Sequence, residues 1–175
     1  IYRYMHVVIE ACINTLLKSN TILNVVDKSD FCDDTIPPFY SNLGKHFRHI
    51  FDFYNAILAF DQKYIVDLTI KSRNSNAEYD ISKACDYLDY VVKRLSALDE
   101  SIMKKEVFVI DDLGKGKIKM NYTFEALLSQ ANSHTIHHYA IIAYILNTLG
   151  IKIEDNTFGY NPTTPKNKPI FKTEN

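Results

Sequence analysis

The chain of 175 residues has the length of one ordinary domain and a composition typical of globular proteins. It carries 20 Lys and Arg against 21 Asp and Glu, and its basic residues are scattered along the sequence. This balance disfavours a surface that follows nucleic-acid phosphates. No apolar run approaches the roughly 20 residues that cross a bilayer, so we expect neither nucleic acid nor a membrane as a partner.

The three cysteines, Cys12, Cys32 and Cys85, are far apart in the sequence and form no Cys-x-x-Cys pair. Their odd number and their spacing predict neither a disulfide framework nor a zinc knuckle. A reducing compartment suits such cysteines best, and we therefore expect a cytoplasmic protein.

The first helix is predicted from Tyr4 to about Val26, because apolar residues recur there at helical spacing without Gly or Pro. Residues 27–40 then contain several aspartates and the adjacent pair Pro37 and Pro38, which disfavour a helix. The chain is therefore expected to open with one helix and a loop.

A second helix is predicted from Ser41 to about Phe60, with Ser41 as its N-cap and a broad apolar face. His46 and His49 fall inside it. Residues 61–77 are mixed and polar without a clear period, and we expect them to form a long connection.

A third, amphipathic helix is expected from Glu78 or Asp80 to Asp99, where apolar residues repeat at intervals of three and four. Two short β-prone runs follow, residues 107–110 and 117–120, with a glycine-containing turn between them. They predict a small β-hairpin.

The last helix is predicted over residues 124–149, and Gly150 is a natural C-terminal stop. Four helices of about 20 residues each predict an all-α fold, a four-helix bundle with a small β-hairpin before the last helix. We expect a single domain over residues 1–160 and an irregular C-terminal tail over residues 161–175.

Five of the six histidines lie in two short segments of the predicted helices, and they are His46, His49, His134, His137 and His138. Helix positions four apart differ by about 40° in direction, so His134 and His138 lie above one another on one face. That face continues the apolar side of the last helix, which points both imidazoles inward. They can therefore hold one metal ion together.

A third imidazole has to come from another helix, and His49 or His46 can supply it because bundles build metal sites between facing helices. Three neutral imidazoles with an open position suit zinc, nickel or ferrous iron, and an open position is typical of a catalytic site. Thr135 stands where zinc peptidases of the His-Glu-x-x-His type carry glutamate, which disfavours peptidase chemistry.

The segments around these histidines resemble the DinB/YfiT superfamily of metal-binding four-helix bundles. Residues 41–50 are similar to the second-helix motif of that family, and residues 133–138 are similar to its His-x-x-x-His motif in the fourth helix. The resemblance places the three metal ligands on His49, His134 and His138.

Characterised members of that family include thiol S-transferases and a thiol-dependent isomerase, and many members are dimers. The resemblance therefore implies a metal-dependent enzyme that acts on a small-molecule substrate by thiol transfer. It also implies a low-molecular-weight thiol as cosubstrate and a homodimer as the assembly. The alternatives are a non-catalytic small-molecule-binding or stress-response bundle and a metal-dependent hydrolase.

One feature departs from the family pattern. Many relatives follow the last ligand with Arg-Gly-Gln, whereas this chain has Tyr139, Ala140 and Ile141 there. If the family motif shapes the substrate pocket, this protein has a different substrate or no activity.

Overall fold

A computed structural model describes residues 5–60, 62–70 and 75–165 of the chain. The α-helices are, in chain order, α1 (Val7–Leu17), α2 (Ser19–Leu23), α3 (Lys28–Phe31), α4 (Leu43–Leu58), α5 (Ile81–Ser96) and α6 (Phe124–Thr148). The strands are β1 (Ile65–Asp67), β2 (Glu106–Asp112) and β3 (Lys117–Thr123), and two short 3₁₀ turns cover Ser75–Glu78 and Glu100–Ile102. The predicted helix start at Tyr4 and residues 166–175 of the predicted tail lie outside the described residues.

The expectation of an all-α four-helix bundle is wrong, because the chain forms a mixed α/β fold. Its strands build a three-stranded sheet in the order β1-β2-β3. β1 runs parallel to β2, whereas β2 and β3 are antiparallel. The predicted hairpin is confirmed as β2 and β3, which are longer than the sequence pattern suggests at seven residues each.

β1 is the element that changes the fold class, and it lies in the segment predicted to be a connection. It has only three residues, of which Val66 alone is buried. A pattern of alternation cannot be recognised over so short a run. The strand forms because its backbone pairs with Phe108, Val109 and Ile110 of β2, far away in the sequence.

The first predicted helix is divided at Lys18 into α1 and α2. At this point the hydroxyl of Tyr139 donates towards the carbonyl oxygens of Thr15 and Leu16, at 3.0 and 3.2 Å. The same hydroxyl lies 2.7 Å from that of Ser19. Because a side chain of α6 engages these carbonyls, the regular hydrogen-bond ladder of the helix is interrupted there.

The other helices begin and end close to their predicted positions. Asn42 is the N-cap of α4, one residue after the predicted Ser41, and its side chain accepts a hydrogen bond from the Lys45 backbone N–H at 2.8 Å. The third predicted helix is confirmed as α5, with Asp80 as N-cap. The last is confirmed as α6, and the positive φ of Gly150, 73°, marks its end. The predicted loop over residues 27–40 contains the single turn α3.

The four longer helices pack against one another around the core. α4 lies between α5 and α6, and α1 contacts both of these neighbours. Five side chains illustrate the fully buried interior: Leu16, Phe47, Ile50, Leu88 and Leu128. Among the residues that the structure describes, no helix combines the length and the apolar character that a membrane crossing needs.

Candidate metal site

The three predicted ligands lie together at the interface between α4 and α6. The available ligand atoms of His49, His134 and His138 all lie within 4.8 Å of one another. The Nε2 atoms of His49 and His134 are 3.0 Å apart. Ring centroids are separated by 4.6 Å for His134 and His138 and by 4.8 Å for His49 and His138. These half-buried histidines could hold a metal ion.

The spacing suits a small divalent cation. Nitrogens bound at about 2.0–2.1 Å to a tetrahedral ion lie roughly 3.3 Å apart, close to the separation of His49 and His134. Three imidazoles would leave the fourth position of a tetrahedral ion open. The donor set could therefore hold a metal ion.

The charge state of the imidazoles also suits a cation. Burial, assisted by repulsion from neighbouring histidines, lowers the pKa of His134 to about 4 and the pKa of His138 to about 2. Both side chains are therefore uncharged at neutral pH, with a lone pair on one ring nitrogen. Metal binding requires neutral imidazole. At neutral pH these two ligands can therefore bind an ion without first losing a proton.

His46 lies beside this triad as a neighbour of one ligand. Its Nδ1 is 3.0 Å from Nδ1 of His138, which leaves Nε2 of His138 as the nitrogen for an ion. His46 itself is buried, with 8% of its surface exposed. The arrangement favours His49 as the ligand from α4 and gives His46 the place of a hydrogen-bonded support.

Replacing His49 should therefore weaken metal binding more than replacing His46. We expect His46→Ala to reduce zinc affinity by about 10-fold, as the loss of a supporting partner does, and His49→Ala to reduce it by more than about 100-fold. Competition titrations with a chromophoric chelator measure both affinities. A larger loss in His46→Ala would make His46 the ligand instead.

Phe53 is a site residue that the sequence pattern did not single out. It follows His49 by one helical turn, and its ring stacks on that of His134 with centroids 4.7 Å apart. The contact fixes the orientation of a ligand imidazole. The spacing of four residues from His49 is the signal that could have pointed to it.

A network of charged side chains joins α4 to neighbouring elements. Arg48 contacts the carboxylate of Asp52 at 2.7 Å and that of Glu78 at 2.8 Å. The hydroxyl of Tyr87 donates to Asp52 at 2.9 Å. Asp52 and Arg48 thus join α4 to α5 and to the 3₁₀ turn Ser75–Glu78.

The remaining two histidines do not belong to the triad. His137 is exposed on α6, with its ring centroid 5.3 Å from that of His138. His6 is the N-cap of α1, where its Nδ1 accepts a hydrogen bond from the Val8 backbone N–H at 3.3 Å. His6 is therefore a structural residue and a suitable control for metal-binding experiments.

Comparison with protein families and with curated proteins identifies no relative of this chain. No protein-family model matches the chain, and no curated protein matches it. Membership of the DinB/YfiT superfamily therefore stays a hypothesis.

Proposed function

We propose that the protein binds a divalent metal ion through His49, His134 and His138 and uses it to activate a small molecule. The observation that carries this proposal is the convergence of three imidazoles from two helices, with all ligand atoms within 4.8 Å of one another. Exposed acidic groups often cluster without an ion, whereas these three ligands are half-buried imidazoles contributed by two different helices. A bound cation would be coordinated by all three.

Zinc, nickel and ferrous iron all suit three neutral nitrogen ligands, and the cell's supply would select among them. A substrate or a second ligand would bind at the position that the three histidines leave open. When bound, the ion supplies Lewis acidity, which lowers the pKa of a coordinated thiol or water.

Thiol transfer is the reaction that we propose, because the motifs around the histidines resemble those of the DinB/YfiT superfamily, whose characterised members include thiol S-transferases. The departure from the family pattern after the last ligand has a packing explanation in this chain. Tyr139 is buried, stacks on Phe158 with centroids 4.4 Å apart and contacts α1. Tyr139 therefore packs in the hydrophobic core at this position.

Elemental analysis of protein purified without a histidine tag or chelator tests the metal site first. We expect close to one zinc, nickel or iron per chain in the parent and a strong loss in His49→Ala. Absence of metal from the parent, even after reconstitution with these ions, would contradict the proposal.

Turnover then separates the reaction classes. The metal-loaded protein is mixed with 1-chloro-2,4-dinitrobenzene and glutathione or cysteine as the thiol, and formation of the thioether is followed against chelator-treated protein. Thiol transfer requires both the metal and the thiol. Consumption of an ester substrate without thiol would favour a hydrolase instead, and saturable ligand binding without turnover would favour a binding protein.

A further inference from the structure

We draw no further inference here: the strongest candidate, the mainly apolar cleft between the loop that precedes α4 and the C-terminal half of α6, carries none, because nothing in the described part of the chain shows what would occupy it.

Discussion

His134→Ala should weaken zinc binding by more than about 100-fold relative to the parent. His134 and His138 share one face of α6, and Nε2 of His134 lies 3.0 Å from Nε2 of His49. Removing it leaves two imidazoles, and the loss of a ligand should exceed the 10-fold to 100-fold effect of removing a supporting residue. The affinity is measured by competition with a chromophoric chelator at neutral pH.

Thermal unfolding gives a second readout of the same prediction. A ligand that binds only the folded protein stabilises it by about 2.7 kcal/mol at 100 times its dissociation constant. For a chain of this length that corresponds to roughly 5–10 °C in Tm. Zinc should raise the Tm of the parent and of His6→Ala by this amount and leave the Tm of His134→Ala nearly unchanged. Equal zinc affinity in His134→Ala and His6→Ala would rule out the proposed site.

Gly44→Ala should destabilise the fold by about 3 kcal/mol or more, although alanine is the better helix former. Gly44 lies in the first turn of α4, where the 3₁₀ turn over residues 75–78 crosses it. A Cβ atom there would overlap the carbonyl oxygen of Glu78 and would lie 2.7 Å from Cε1 of Phe31. The obstacle is backbone, which cannot move without displacing Glu78 from its ion pair with Arg48.

Intrinsic helix propensity predicts the opposite sign, a gain of about 1 kcal/mol, so the experiment is decisive. Chemical or thermal unfolding of apo-protein measures the difference. The control Gly114→Ala meets no atom within 4 Å and has only the cost of a left-handed backbone, about 1 kcal/mol. A Gly44→Ala protein as stable as the parent would mean that α4 and the 3₁₀ turn are not in close contact. Loss of this contact should also lower zinc affinity, because α4 carries His49.

Helices with a continuous apolar face could be predicted from the sequence to within a few residues. α5 and α6 satisfy a repeat of three and four along their whole length, and their caps are local side chains such as Asp80. The hairpin was recognisable for the same reason, because its turn and its two strands are adjacent in the chain. In each case the interactions that select the structure join residues close in sequence.

Elements that depend on distant partners were not predictable in this way. β1 exists through its pairing with β2, and that pairing turns the expected all-α fold into a mixed one. The break between α1 and α2 coincides with the hydroxyl of Tyr139, about 120 residues further along the chain. Neither contact leaves a periodic signal in the local sequence.

The candidate site also depends partly on local sequence and partly on contacts between distant residues. The sequence by itself determined that His134 and His138 share a helix face, because residues four apart on an α-helix always do. It offered both His49 and His46 as the donor from one helix, where they differ by about 60° in direction, and the family resemblance favoured His49. Tertiary structure separated them by fixing the rotation of α4 against α6, which brings His49 into the triad and places His46 beside Nδ1 of His138. That rotation depends on packing across α4, including the close contact at Gly44, and no local pattern encodes it.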